Sequence, residues 1–251
     1  SYLIIDEIEH SARSMDILRR NSIATRTLAM FSRICGHEYL KKTIKPVLDS
    51  IIASDEDFEI EKSLPSQESA EINVERFGKY MVKLTDSICS SVNDIPPEFI
   101  YISQRIREAA KKKFPGSELV AVGSFIFLRF FCPALVSPDT ENLIPSLLTG
   151  NRRSFILLAK VIQNIANQSV KSLKWPLIQD KMDLLETCSN RIMEYLANIS
   201  DPNIKTDIPI HYDAPIGKQN NLGTFHKILY NHKQEMRNIM VKSVSSDQSL
   251  E

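Results

Sequence analysis

Two adjacent arginines, Arg19 and Arg20, stand between two stretches of helical periodicity, on what the sequence predicts to be a short exposed turn. The simpler interpretation is a solvated basic pair, because most surface cations make no specific contact. The alternative is an arginine presented to a partner's phosphate. A guanidinium is permanently charged and forked, so it can neutralise charge that develops on phosphoryl oxygens.

A third arginine, Arg129, lies in the middle of the most apolar stretch of the chain, residues 119–136. An unpaired buried guanidinium costs several kcal/mol, so we expect Arg129 to donate to loop carbonyls and act as a brace. Pro133 cannot donate to the helical ladder, so the helix should end or kink there. The stretch is nearly long enough to span a membrane. The central arginine and the proline favour instead a buried helix in a soluble domain.

A polar stripe forms the third candidate site. Lys160, Asn164 and Asn167 follow one another at spacings of four and three residues, away from the apolar face of the same predicted helix. Lys171 and Lys174 extend this basic rim. The stripe is either an ordinary solvent face or a recognition surface, and the two asparagines favour recognition weakly.

Composition excludes several classes of function. The 31 basic and 31 acidic residues cancel, so no strongly basic field supports general nucleic-acid binding. The sequence contains no glycine-rich phosphate loop, no G-x-S-x-G and no H-E-x-x-H, which disfavours self-contained nucleotide hydrolysis, dinucleotide redox chemistry and zinc proteolysis. Its four cysteines form no C-x-x-C pair and are predicted to be buried thiols in a reducing compartment, and no metal site is expected. Because the chain begins Ser-Tyr without a leader, we expect a fragment of a longer protein.

Apolar residues recur at spacings of three and four along nearly the whole chain, and no alternating strand pattern competes. The predicted fold class is therefore all-α, with the apolar stretch as a central buried helix. Two domains are predicted, a helical domain over 1–200 and a flanking extension over 201–251. The predicted helices and loops have these bounds: helices over 3–15, 22–36, 40–51 (restarted or kinked at Pro46), 74–88, 97–109, 117–132, 155–165, 185–199 and 225–241, and loops over 54–70 and 201–223.

Three segments resemble one family. Phe127-Leu128-Arg129 followed by Pro133-Ala134 resembles the F-L-R-x-x-x-P-A signature of Ras GTPase-activating proteins. Residues 158–167 look like that family's second block, and residues 18–24 look like its finger-loop segment. The three agree in order and spacing over roughly residues 14–200. The amino-acid sequence at residues 39–40 and 121–124 is most similar to that of neurofibromin and its fungal relatives.

The resemblance implies roles for two of the arginines. Arg19 matches the arginine finger, which is inserted in trans into the nucleotide site of Ras. Arg129 matches the secondary arginine, which holds the finger loop by bonding its main-chain carbonyl. The residue after the finger is often small in the family and here is Arg20, so a shift of one residue would exchange the two. The run Asn21-Ser22-Ile23-Ala24 fits best with Arg19 as the finger.

The resemblance also implies a partner-binding groove. Its residues in this sequence are Leu128, Lys160, Asn164 and Asn167, with Lys174 aligned less securely.

The function implied is stimulation of GTP hydrolysis by a GTP-bound Ras-family GTPase, which switches off Ras signalling. The chain would be an activator without an active site of its own, and GTP and Mg²⁺ would be held by the partner. It would be cytoplasmic and would reach the inner face of membranes only indirectly, through Ras. The alternatives are a GAP-shaped scaffold that binds a GTPase without accelerating it, and a purely structural helical domain.

Overall fold

The described part of this computed structural model, residues 2–54, 56, 58–60, 66–145, 151–173 and 175–206, is helical and contains no strand. All of it falls in one compact unit, Ser1–Asp207. The all-α prediction is confirmed. The predicted helix over 225–241 lies outside the described residues, as does most of the predicted extension, so the division at residue 200 stays a prediction. The helices have these bounds: α1 Tyr2–Glu9, α2 Ile23–Thr43, α3 Lys45–Ser54, α4 Gln67–Ser90, α5 Pro97–Lys113, α6 Glu118–Gly123, α7 Cys132–Val136, α8 Asn151–Ala166 and α9 Met182–Ile199.

The apolar stretch forms the centre of the described unit. A π-helix, Ser124–Phe131, joins α6 to α7, so that one continuous helix runs from Glu118 to Val136. By length and composition alone this helix could cross a membrane, with a mean hydropathy of 2.1 in its most apolar window. However, 67% of that window is buried within the protein. Helices α2, α5, α8 and α9 pack around it, which is the arrangement expected for a helix that is hydrophobic on every side.

Pro133 changes the helix in a way that the sequence predicted only in part. The helix neither ends nor breaks there, and α7 continues to Val136. Just before the proline, the Cys132 N–H bonds the carbonyl of Phe127, five residues back, which is π-helical spacing. Because proline offers no N–H to the carbonyl of Arg129, the wider turn relieves the mismatch without breaking the element. Arg129 therefore lies in the irregular part of the central helix.

Gly36 was predicted to end α2, and this prediction is wrong. The helix runs through Gly36 to Thr43. A Cβ added at this glycine would lie 2.4 Å from Cε2 of Phe130 and 2.8 Å from Cζ of Phe99. The glycine is therefore a packing residue, because it lets α2 approach the aromatic side chains of the central helix and α5.

The predicted first helix, residues 3–15, is too long, since α1 ends at Glu9. The Ser11 hydroxyl donates to the carbonyl of Glu7 at 2.8 Å, and a short 3₁₀ turn, Ser14–Asp16, follows. Serine side chains that bond nearby carbonyls compete with continued helix. The chain thereby turns away from α1 and reaches the segment that carries Arg19.

The loop predicted over 54–70 is too long, because α3 continues to Ser54 and α4 already begins at Gln67. Its described residues include one that is part of the core. Phe58 is fully buried, and its ring stacks on Tyr80 with centroids 5.3 Å apart. The Tyr80 hydroxyl donates to Glu56 at 2.8 Å, and this hydrogen bond contributes most to lowering the pKa of the Glu56 carboxyl. The acidic residues of this loop thus help to attach it to α4.

Candidate functional site

The finger loop, residues 17–22, is a short connection whose first two residues are buried in the protein. Ile17 and Leu18 are completely buried, whereas Arg19, Arg20 and Asn21 are exposed. Leu18 has a φ of 56°, in the left-handed region that residues other than glycine rarely adopt. Such a conformation persists only where its surroundings enforce it, so the contacts of this loop decide its shape.

The start of α2 supplies part of that enforcement. Ser22 is the N-cap residue and forms a reciprocal capping box with Thr25. The Thr25 hydroxyl also donates to the carbonyl of Arg20 at 2.9 Å. The cap therefore satisfies the first N–H groups of α2 and fixes the backbone just after Arg19.

Arg129 supplies the other contacts that hold the finger loop in this conformation. Its Nε donates to the carbonyl of Leu18 at 2.7 Å, and its Nη2 donates to the carbonyl of Arg20 at 3.0 Å. Burial lowers the pKa of Arg129, and the nearby charge of Glu7 acts in the opposite direction. One guanidinium thus holds the backbone on both sides of Arg19 without bonding the carbonyl of Arg19 itself. The sequence predicted a brace of this kind, and the fork of arginine is what lets a single side chain reach two carbonyls.

The two neighbouring arginines have different surroundings. The Nε of Arg20 lies 3.3 Å from the Glu7 carboxylate on α1, and the Glu7 side chain is only 8% exposed. Within the described part of the chain, the side chain of Arg19 makes no hydrogen bond or ion pair. Both side chains are exposed, that of Arg20 to 54%, but of the two only Arg20 makes an ion pair within the described residues. Sequence reasoning missed Glu7, because nothing in its local pattern marks an acceptor for a cation thirteen residues later.

A small cleft of about 120 Å³ lies between α2 and the central helix, and Arg129, which holds the finger loop, is one of its lining residues. Leu128, Arg129 and Pro133 line one wall, so the predicted binding residue Leu128 borders the same cleft as the brace. Arg33 lines the α2 side and donates to Glu141 at 2.8 Å. This ion pair joins residues far apart in sequence, which left no pattern from which it could be predicted.

Lys160 and Asn164 lie on α8 as predicted, but α8 ends at Ala166, so Asn167 lies one residue beyond the helix. Lys160 is exposed, with Nζ 5.9 Å from the centre of the Trp175 ring, within the range of a cation–π contact. The Asn164 amide donates to the carbonyl of Lys160 at 2.8 Å and accepts from the Ser169 hydroxyl at 3.1 Å. Asn167 accepts from Gln163 at 3.3 Å. Asn164 thus takes part in ending α8, whatever else it contacts.

Helix α8 packs against α7 and the π-helix, which places Lys160 and Asn164 on the helix next to the one that carries Arg129. The Cys132 thiol reaches the carbonyl of Ala159 at 3.5 Å and the Gln163 side chain at 3.4 Å, and burial raises its pKa strongly. Lys174 lies outside the described residues. No group of three or more metal-ligating side chains occurs in the ranges described above.

Comparisons with known proteins agree with the sequence motifs. A family model described as GTPase-activator protein for Ras-like GTPase matches residues 1–64 and 62–167. The inhibitory regulator protein IRA2 of Saccharomyces cerevisiae is 45% identical over 98% of this chain, and IRA1 of the same yeast is 46% identical over 78%. Mouse Ras GTPase-activating protein 2 is 39% identical over 63% of the chain.

These relatives are much longer proteins. The chain spans 8% of the length of IRA2, 6% of IRA1 and 19% of the mouse protein. The matched region is therefore one segment of each.

Proposed function

Since the chain belongs to the family of GTPase-activator proteins for Ras-like GTPases, we propose that it stimulates GTP hydrolysis by a GTP-bound Ras-family GTPase and so switches off Ras signalling. Arg19 enters the partner's nucleotide site in trans. The chain is an activator without an active site of its own, because GTP and Mg²⁺ are held by the partner. It acts in the cytoplasm and reaches the inner face of membranes through Ras.

The chemistry needs one well-placed cation. As the γ-phosphoryl group is transferred to water, charge spreads over its equatorial oxygens and the leaving oxygen. A guanidinium that arrives preorganised stabilises that charge and displaces water from the site. Arginine fingers of GTPase activators, of which the Ras pair is the standard example, raise kcat by about 10³–10⁵-fold, a magnitude that belongs to the class and not to a measurement on this chain.

The observation that carries this proposal is the double hydrogen bond from Arg129 to the finger loop, 2.7 Å to the carbonyl of Leu18 and 3.0 Å to that of Arg20. It fixes the backbone on both sides of Arg19 while the Arg19 side chain stays exposed. Because the backbone of the loop is already held, only the rotamers of the Arg19 side chain remain to be fixed when it enters a partner's site, which lowers the entropic cost of transition-state stabilisation.

Binding of the GTPase is assigned to the surface next to this loop. Leu128 borders the cleft beside Arg129, Lys160 offers a cation on α8, and Asn167 offers an amide just after that helix ends. Asn164 shapes the end of that helix, and Lys174 keeps its predicted place as a further contact lysine. The negatively charged surface expected around a bound nucleotide would favour these cations mainly through the association rate.

Single-turnover hydrolysis tests the proposal. A panel of Ras-family GTPases is loaded with radiolabelled GTP, and phosphate release is followed with and without the chain. We expect acceleration of at least about 10³-fold for at least one member. Binding of a GTP-loaded GTPase without acceleration would identify the chain as a scaffold module, and neither binding nor acceleration would leave a structural helical domain.

A further inference from the structure

Arg19 and Arg20 are adjacent in the finger loop and both are exposed, but among the described residues only Arg20 has an ion-pair partner, Glu7. We propose that Glu7 is a positioning residue that selects Arg19 as the finger by holding the side chain of Arg20 against α1. The inference rests on the proposed function and deepens it, because it names the residue that decides which guanidinium reaches the phosphate.

Glu7 is placed to do this. It lies in the last turn of α1, its side chain is 8% exposed, and its Oε1 is 3.3 Å from Nε of Arg20. A carboxylate this deeply buried needs a cation, and two guanidinium groups, those of Arg20 and Arg129, supply positive charge around it. The Ser11 hydroxyl bonds the carbonyl of Glu7 at 2.8 Å and fixes the end of its helix. The backbone that carries the acceptor is thereby anchored, and Arg20 is the more exposed member of the pair, 54% against 8% for Glu7.

The geometry of the loop explains why a selector is needed. Leu18 is locked by burial and by Arg129, so the exposed side chains begin at Arg19 and Arg20, next to each other. Both are long enough to approach a bound phosphate, and their like charges repel. A Ras nucleotide site has room for one guanidinium group. If Arg20 were released from Glu7, its guanidinium would occupy that site part of the time in place of that of Arg19. The contact with Glu7 removes that competition before the partner arrives, which is a form of preorganisation.

A double-mutant cycle on Glu7 and Arg20 tests the inference, with single-turnover hydrolysis measured over a range of chain concentrations so that kcat and KM are separated. We expect Glu7→Gln to lower kcat about tenfold in the wild-type background and less than about threefold in the Arg20→Ala background, because without Arg20 no competitor remains. KM should stay within about threefold in all four proteins, since the docking surface is intact. Equal kcat losses in both backgrounds would overturn the inference.

A second pair of variants keeps the inference testable if the Glu7→Gln protein folds poorly. Arg20→Glu changes an exposed loop residue and places a like charge opposite Glu7, whose repulsion should displace the loop and lower kcat about tenfold. Adding Glu7→Gln should then restore most of the loss, whereas a merely structural Glu7 would make the double variant worse than either single one. A wild-type chain that accelerates no GTPase would overturn the proposed function. A wild-type chain that accelerates while both cycles show no coupling would overturn this inference alone.

Discussion

The guanidinium of Arg129 and the carbonyl of Leu18 are joined by a 2.7 Å hydrogen bond that spans 111 residues of sequence. Leu18 has a φ of 56°, and a left-handed conformation costs a residue with a side chain about 1–2 kcal/mol. The bond therefore satisfies a half-buried cation and holds a strained residue at the same time. The shape of the finger loop depends in this way on the irregular part of the central helix.

Replacing Arg129 should consequently cost both stability and activity. For Arg129→Ala we expect the free energy of unfolding to fall by about 2–4 kcal/mol, because hydrogen bonds from charged groups contribute about 1.5–3 kcal/mol each. Stimulated hydrolysis should fall at least tenfold, since the loop carbonyls lose their donor. Arg129→Lys keeps the charge but cannot reach both carbonyls, so it should recover stability better than activity. Urea unfolding and single-turnover hydrolysis measure the two effects, and an Arg129→Ala protein unchanged in either would refute the brace.

Arg19 and Arg20 form a matched pair for testing the finger. Arg19→Ala should lower kcat of stimulated hydrolysis by about 10³-fold while the Kd for the GTP-bound partner changes only a few-fold, because a finger acts mainly in the transition state. Arg20→Ala removes the adjacent charge from the same loop, and kcat should stay within about threefold. Similar losses in the two variants, or a loss of binding equal to the loss of rate for Arg19→Ala, would contradict the assignment.

Most of the fold could be predicted from apolar periodicity. The central helix, the restart of helix at Pro46 and the start of α5 at Pro97 all follow from local rules, because a proline is tolerated in the first turn and an all-round apolar helix must be buried. The prediction that α2 ends at Gly36 was wrong for a physical reason. A glycine after a periodic run is typical of a helix end, but here tertiary packing against Phe130 requires the missing side chain.

The candidate site was predictable to the level of its arginines and no further. The cost of burying Arg129 predicted that it must bond loop carbonyls, and the structure has these bonds. The partner of Arg20, by contrast, lies on another helix, and no local pattern links Glu7 to it. Asn164 illustrates the opposite case, because a helical stripe says which face a side chain occupies but not that its amide is already engaged at the end of α8.

Lys160 should act in binding rather than in the chemical step. Lys160→Ala should raise the Kd for the GTP-loaded partner several-fold, mainly through a slower association rate, and leave kcat unchanged. The effect should weaken at high salt, because exposed charges are screened. Lys112→Ala on α5 is the matched control, a 75% exposed lysine outside the predicted surface whose Nζ lies 3.2 Å from Glu108. Stopped-flow association at two ionic strengths separates the variants, and equal rates for both would make Lys160 an ordinary surface lysine.

Two glycines inside helices should respond to alanine with opposite signs. Gly36→Ala should lower the free energy of unfolding by about 1–3 kcal/mol, because its Cβ would lie 2.4 Å from a Phe130 ring that is itself packed 4.7 Å from the Phe99 ring, centroid to centroid. Gly78→Ala, whose Cβ meets nothing closer than Leu184 at 3.6 Å, should raise it by about 0.5–1 kcal/mol through helix propensity. Since Phe130 follows Arg129 directly, Gly36→Ala should also slow stimulated hydrolysis, whereas Gly78→Ala should not. Thermal and urea unfolding of the two variants measure the sign of each change in the free energy of unfolding. Stabilisation by both substitutions would show that the aromatic rings shift to accommodate the added methyl group and would contradict the prediction.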